Sequence, residues 1–423
     1  MSRTVTTSKN NLFRYDILVM ATGSVADLPS YITRAEAANT NGVFVYRSIA
    51  DLEGIIQYAE RVKRATVVGG GLLGLEAAKA VYDIGVPDVS IMIRQDYPLN
   101  RQLDAPAGEL VMQRIKGMGV NVLTRCSPKG ISADDGTFTG FIEPHIESDM
   151  VIFATGIRPR DDLAAATGMK TAPSGGIIVD DSLLTNLPNV YAIGECANWR
   201  GNYYGLIAPG IEMASILAFN LTQTHGRGAH APRKMNPPDL STRLKLMGVD
   251  VASFGNYFAD ARKPTPGEVA IHQVRRDHLL ADGPIKCLTY HDPIASVYKK
   301  YLFSEDGKHL IGGMMIGDVS DFTKLVAITK KKKALDVPPS QFILGAKANA
   351  DEDGDDLDDD AVVCSCHNVT KGAISQCVKD GMTELPDIKC ETKAGSGCGG
   401  CVPLVTAIFK SEMKKAGHKI NKK

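Results

Sequence analysis

Long apolar runs are missing from this sequence. No uninterrupted stretch reaches the ~18–20 residues that a membrane-crossing helix needs, and Met1 to Lys9 carries no apolar core of the kind a secretory leader has. Net charge is missing too: 48 Lys and Arg balance 48 Asp and Glu, which removes any whole-molecule electrostatic reason for nucleic acid or an anionic membrane as partner. A disulfide framework is the third absence. The nine cysteines are an odd number and five stand singly, so in a chain of 423 residues they read as thiols of a reducing compartment. The expectation is a soluble, cytoplasmic protein of about two to four domains.

What is present is organised around Ala65 to Val81. The β-branched run Thr66 to Val68 meets Gly69-x-Gly71-x-x-Gly74, and the good helix formers Leu75 to Ala80 follow. Gly69 permits a tight turn, Gly71 lets a pyrophosphate approach the backbone, and Gly74 lets helix and strand pack closely. The helix N-terminus would face the phosphate charge. A second strand, Val89 to Ile93, follows after a helix-length gap. This context predicts dinucleotide binding rather than a structural glycine turn. The second strand ends in Arg94-Gln95, with Arg101 nearby and Asp96 the only adjacent acid, which favours NADPH over NADH because an Arg there can meet a 2′-phosphate.

Two further strands end alike. Tyr15 to Met20 runs into Ala21-Thr22-Gly23, and Asp149 to Phe153 into Ala154-Thr155-Gly156. Such exits let a backbone approach a ligand at the carboxyl edge of an α/β sheet. A later strand, Val190 to Ile193, ends in Gly194-Glu195-Cys196-Ala197, where a carboxylate sits at a strand tip, and a helix Pro209 to Leu221 follows. Helices are also expected at Asp51 to Lys63 and Pro106 to Met118. From Pro237 to Gly317 short alternating strands (Val249 to Phe254, Glu268 to Arg275, Ile285 to Tyr290, Ser296 to Phe303, Leu310 to Ile316) predict an antiparallel sheet with a packing or interface role. His291, beside Asp292-Pro293, reads as a turn residue, and Lys330 to Lys333 as a solvated helix face. Ala348 to Asp360 has eight acidic residues and no aromatic, and reads as a disordered linker.

Beyond it, Cys364-x-Cys366 and Cys398-Gly-Gly-Cys401 place four thiolates in two close pairs. Such a set binds an iron–sulfur cluster or zinc, and the single residue between Cys364 and Cys366 is tight for zinc. The glycines around Cys398 and Cys401 free amides to approach cluster sulfides, so a [2Fe-2S] cluster is expected. The other cysteines read as buried or incidental thiols.

The two Ala-Thr-Gly exits, the Gly69 to Gly74 turn, Ala192 to Ala197, Arg101-Gln102-Leu103-Asp104 and the terminal cysteine domain together resemble the N-terminal half of the large siroheme-containing assimilatory nitrite reductases that use NAD(P)H, especially the fungal ones. The resemblance implies an α/β fold with two dinucleotide-binding domains, the FAD part incomplete, an α+β interface domain and a small helical [2Fe-2S] domain of the bacterioferritin-associated-ferredoxin (BFD) type. It divides the chain into 1–40, a remnant of the FAD-binding domain; 41–160, the NAD(P)-binding domain; 161–235, the rest of the FAD-binding domain; 236–347, the interface domain; 348–361, the acidic linker; 362–415, the cluster domain; and 416–423, a basic tail. Thr22, Gly23, Gly194 and Glu195 would line FAD. Gly69, Gly71, Gly74, Arg94, Thr155 and Gly156 would hold NAD(P), and Cys364, Cys366, Cys398 and Cys401 would ligate the cluster. No side chain is singled out as catalytic, because hydride passes through flavin.

Two departures qualify the resemblance. Family members carry an additional strand and glycine turn for the ADP part of FAD, and continue into a half bearing siroheme and a [4Fe-4S] cluster; this sequence is expected to be truncated at both ends relative to them. The implied activity is transfer of electrons from NAD(P)H through FAD to the [2Fe-2S] cluster, toward a siroheme-bearing partner half, in a protein that could pair as a homodimer. The alternatives are a nucleotide- and cluster-binding module without flavin turnover, or an enzyme like rubredoxin and ferredoxin reductases.

Overall fold

The computed structural model describes residues 3–225, 231–260, 284–345, 357–364, 367–396 and 401–417. These fall into two compact units: the described parts of Met1–Asp27 and Ile157–Asp239, and those of Leu28–Gly156, Leu240–Lys263 and Leu279–Lys423.

The second unit contains a five-stranded parallel sheet in the order Val43–Val45, Met150–Phe153, Arg64–Val68, Asp88–Met92, Asn121–Leu123. Its central strands are almost wholly apolar because both faces are covered: Met150 to Phe153 and Val67 are fully buried. Helix Leu72–Ile84 turns Gly74, Leu75, Ala77, Ala78 and Val81 inward and stops at Gly85, whose φ of 103° is left-handed. Helix Ala105–Gly117 starts where the Asp104 carboxylate accepts from the Ala107 amide at 3.2 Å, with Pro106 in the first turn. A three-stranded antiparallel insert, Gly130–Asp134, Thr137–Ile142 and Ile146–Glu147, packs Phe138 and Phe141 with Phe153 and Val151.

In the same unit an antiparallel sheet runs in the order Thr242–Leu246, Val249–Gly255, Leu310–Ile316, Val297–Ser304, Ile285–Asp292. Thr242–Leu246 is a strand that the alternation rule missed, and the expected strand Glu268 to Arg275 lies outside the described residues. His291 is corrected from turn to strand: it lies opposite Tyr298, with ring centroids 6.0 Å apart. One face of this sheet adds Val249, Val251, Tyr298, Met314 and Ile316 to the apolar core containing Leu75, Leu99, Leu103 and Ala107 of the dinucleotide fold. Its other face packs Phe254, Tyr301 and Phe303 on helices Phe322–Lys331 and Pro339–Ile343 through Phe322, Leu325 and Ile343.

The cysteine domain pairs Val362–Cys364 with Val369–Thr370 and adds helices Lys371–Lys379, Leu385–Thr392 and Val402–Lys415. Its described N-terminal shoulder corrects the linker expectation at 357–361. Leu357 and Ala361 are buried in this domain's core, the nearly buried Lys371 ammonium donates to the Leu357 carbonyl at 2.6 Å, and Lys331 grips Asp358 and Asp360 at 2.6 Å each. Lys331 is therefore a paired cation instead of a purely solvated one.

In the first unit, Leu18–Met20 runs parallel to Val190–Ala192, Ile177–Val179 runs parallel to Ala197–Trp199, and Ser24–Ala26 is antiparallel to Ile157–Pro159. Helix Ile207–His225 follows the Val190–Ala192 strand and its turn.

Candidate functional site

In the parallel sheet the register sets Phe153 beside Val68 and Val68 beside Met92. The three adjoining strands therefore deliver Thr155-Gly156, the Gly69 to Gly74 turn and Arg94 to one edge, their carboxyl ends. This is the edge at which α/β sheets take ligands. A Cβ on Gly69 (φ 133°) would lie 2.3 Å from the Ala154 carbonyl oxygen, and one on Gly74 would lie 2.0 Å from the Gly69 carbonyl oxygen. Neither is possible without moving backbone. Gly71 differs: its φ is −83°, and a Cβ there would meet nothing within 4 Å. The space above Gly71 is open, and it caps helix Leu72–Ile84 with no side-chain hydrogen bond, so the first-turn amides face that space. Such an arrangement fits a pyrophosphate.

Arg94 is exposed at the strand exit. Asp96, the nearby acid, is ion-paired with the Arg125 guanidinium. The segment from Arg94 to Asp104 folds back on the glycine turn, with the Leu99 amide donating to the Gly70 carbonyl at 2.8 Å. Glu76 was not anticipated. It lies half-buried two residues past Gly74, and burial raises its carboxyl above the ordinary 4.5. A charged residue among Leu75, Ala77 and Ala78 was the signal for it. Burial likewise pushes the Tyr31 phenol up to about 12.

In the first unit the register pairs Met20 with Ala192, so Thr22-Gly23 and Gly194-Glu195 leave adjacent parallel strands. Gly23 (φ 71°) and Gly194 (φ 74°) are left-handed, and a Cβ at either would meet nothing within 4 Å. Together they leave a cradle of bare backbone that suits a flat ligand such as flavin. The Ser24 hydroxyl donates to Glu195 Oε2 at 2.6 Å, and the Thr22 hydroxyl donates to the Arg160 carbonyl at 2.5 Å. Cys196 is fully buried, and its thiol donates to the Ile193 and Met20 carbonyls at 3.3 and 3.5 Å. It is a structural thiol.

In the cysteine domain Cys364 is 2% exposed at the end of its strand, and Cys401 caps helix Val402–Lys415. Both pack on one apolar cluster. Cys366 and Cys398 lie outside the described residues. Among the described residues, the Ser396 hydroxyl and His367 Nε2 lie 3.0 Å apart. Two buried or half-buried thiols packed on one apolar cluster suit two ligands of a cluster site. Elsewhere burial raises the thiols of Cys126 and Cys377, which favours their protonated form at neutral pH.

An α/β dinucleotide fold with a phosphate turn, a second glycine-lined cradle in the other unit and a cysteine cluster domain define a class, the two-domain flavoprotein reductases working between NAD(P)H and FAD. Residues 2–216 match the pyridine nucleotide-disulphide oxidoreductase model, and the chain belongs to that family. Residues 362–411 match the BFD-like [2Fe-2S] binding domain. FAD and NAD(P)H are thus the cofactors of the first region and [2Fe-2S] that of the second.

The chain is 47% identical, over 99% of its length, to the nitrite reductase [NAD(P)H] of Emericella nidulans, and covers 38% of that protein. It is 49% identical, over 96% of its length, to that of Neurospora crassa, and covers 36% of it. The chain therefore spans under two fifths of the length of these curated relatives. Among solved structures, NADH:rubredoxin oxidoreductase from Clostridium acetobutylicum is similar at a TM-score of 0.57 and 25% identity, over 81% of this chain and 77% of that one.

Proposed function

We propose that this chain is the reductase half of an assimilatory nitrite reductase, passing electrons from NAD(P)H to a siroheme-bearing half that converts nitrite to ammonium. One observation carries the reading: a cluster domain follows a flavin reductase fold whose described cysteines offer no dithiol near either glycine cradle, which leaves the cluster as the outlet for electrons. Bound FAD would supply the conversion from a two-electron hydride donor to single-electron transfer. The chain's own residues position these groups. Gly69, Gly71, Gly74 and the first turn of helix Leu72–Ile84 hold the pyrophosphate, Thr155 and Gly156 border the same dinucleotide, and Arg94 pairs with the 2′-phosphate of NADPH. Thr22, Gly23, Gly194 and Glu195 line the flavin. Cys364, Cys366, Cys398 and Cys401 ligate the cluster. Among the described residues no helix is long and apolar enough to cross a membrane, and the reading includes a cytoplasmic location and a homodimer.

A second reading, a nucleotide- and cluster-binding carrier without flavin turnover, draws on one contrast. Met150–Phe153 is hydrogen-bonded to strands on both sides, whereas Leu18–Met20, its counterpart ending in Ala-Thr-Gly, pairs with one strand among the described residues. Anaerobic reconstitution with FAD, iron and sulfide, then NADPH, separates the two. Retained flavin that bleaches with the cluster supports the first reading; a cluster without retained flavin supports the second, and no cluster refutes both. Arg94→Glu should reverse the NADPH preference.

A further inference from the structure

Asp104 joins the segment that follows the second dinucleotide strand to a different layer of the molecule. Next to Arg94 the Arg125 amide donates to the Gln95 carbonyl at 3.1 Å and the Arg125 guanidinium pairs with Asp96; further along, three more contacts fix the segment. The Leu99 amide donates to the Gly70 carbonyl at 2.8 Å, inside the glycine turn. The Tyr97 ring covers Gly108 so closely that a Cβ there would lie 2.0 Å from ring carbon Cδ2. At the far end, Asp104 caps helix Ala105–Gly117 and takes two more partners from strand Val297–Ser304 of the antiparallel sheet. The Tyr298 hydroxyl donates to Asp104 Oδ2 at 2.9 Å, and Lys300 Nζ lies 3.3 Å from the same oxygen and 2.8 Å from Asp260 Oδ2. The Asp104 amide meets Met314 Sδ at 3.2 Å on the neighbouring strand. The Lys300 and Asp104 side chains are only 12% and 19% exposed, so this network is far less screened than a surface ion pair. Burial, then Asp104 itself, raises the Tyr298 phenol, which keeps it a donor at neutral pH.

Local capping needs only Asp104 and the Ala107 amide. The additional partners from the sheet exceed that need, and they act where the segment bearing Arg94 is tethered.

We infer that Tyr298 and Lys300 are positioning residues for nucleotide selectivity: through Asp104 the antiparallel sheet holds the 94–104 segment so that Arg94 faces the adenosine 2′-phosphate. The inference rests on the reading that Arg94 binds that phosphate. Disturbing the network loosens the segment while the pyrophosphate turn, fixed by Gly69 and Gly74 packing, stays in place. The discrimination between 2′-phosphorylated and plain nucleotides then falls, with little change in binding of the shared part.

The test uses the full chain with 2′,5′-ADP and 5′-AMP, which differ only by the 2′-phosphate, as probes, in Tyr298→Phe, Lys300→Met and Arg94→Glu, together with hydrogen exchange of residues 94–104. Tyr298→Phe should weaken 2′,5′-ADP roughly three- to tenfold, leave 5′-AMP within twofold, and raise exchange in the segment. Equal weakening of both probes, or unchanged exchange, overturns the inference, as does faster exchange with an unchanged ratio. Arg94→Glu judges the underlying reading separately. If that variant keeps the wild-type ratio, the phosphate assignment fails whatever Tyr298→Phe does, and the selectivity role fails with it.

Discussion

Gly71→Ala and Gly74→Ala, three residues apart in one turn, should fail in opposite ways. At Gly74 the added methyl carbon would sit 2.0 Å from the Gly69 carbonyl oxygen and 2.8 Å from its carbon. Both atoms are backbone, so no side chain can swing away. The substitution gains about 1 kcal/mol of helix propensity, but overpacking against an immovable group costs typically 1–3 kcal/mol and here belongs at or above the top of that range. The net expectation is a loss of at least about 2 kcal/mol, or a Tm lower by roughly 4 °C or more for a unit of this size. At Gly71 the backbone is already extended, with φ −83°, and a Cβ would meet nothing within 4 Å. Stability should stay within about 0.5 kcal/mol of wild type, while the methyl occupies the space the pyrophosphate needs. Nucleotide affinity should drop at least about tenfold, the order lost when a close backbone approach is blocked and one or two charge-assisted hydrogen bonds go with it. Thermal unfolding and fluorescence titration with NADPH read the two effects separately. Wild-type affinity in Gly71→Ala would refute the cradle, and wild-type stability in Gly74→Ala would refute the packing argument.

Cys364→Ser should abolish the visible absorbance of the reconstituted cluster while the nucleotide titration is unchanged; a full-strength spectrum would remove Cys364 from the ligand set. Glu76→Gln should stabilise the protein at pH 7. Because burial raises the folded carboxyl, its relative contribution is present below about 4.5 and lost as pH rises through the folded value, so the gain over wild type should vanish in melts near pH 4. An equal gain at both pH values would show that charge is not the cause. Lys331→Glu should release the shoulder at 357–361, read as faster hydrogen exchange there, and high salt should mimic it in the wild type because both carboxylates are exposed. Exchange insensitive to both would mean that the apolar contacts of Leu357 and Ala361 hold the shoulder unaided.

The dinucleotide half was readable from sequence because its signals are local. A β-branched run, three glycines at fixed spacing and a stretch of helix formers specify strand, turn and helix within about 20 residues, and Gly74 has the close-packing role its position predicts. The cluster domain was equally legible, since cysteine spacing is a property of short segments. Glu76 and the Thr242–Leu246 strand were missed. In the first case the helix period marks a face, but only the packed structure says how deep that face lies. In the second, a strand beginning Thr-Arg-Leu-Lys alternates no more clearly than a loop.

Sequence by itself determined the chemistry on offer: the glycine turns, the arginine at a strand exit, the carboxylate beside Gly194 and the four thiols. Tertiary structure decided what those groups adjoin. Parallel register brought Thr155, Gly69 and Arg94 to one edge, and Thr22 and Glu195 to another, because pairing between strands 24, 85 and 172 residues apart is fixed by burial of both sheet faces and not by any local motif. It also turned Asp104 from the last letter of a motif into a junction with Tyr298 and Lys300, nearly 200 residues away, and turned part of an acidic tract into a folded shoulder gripped by Lys331. Charge and composition describe a segment in water. Whether it stays there depends on which distant side chains the packed core delivers beside it.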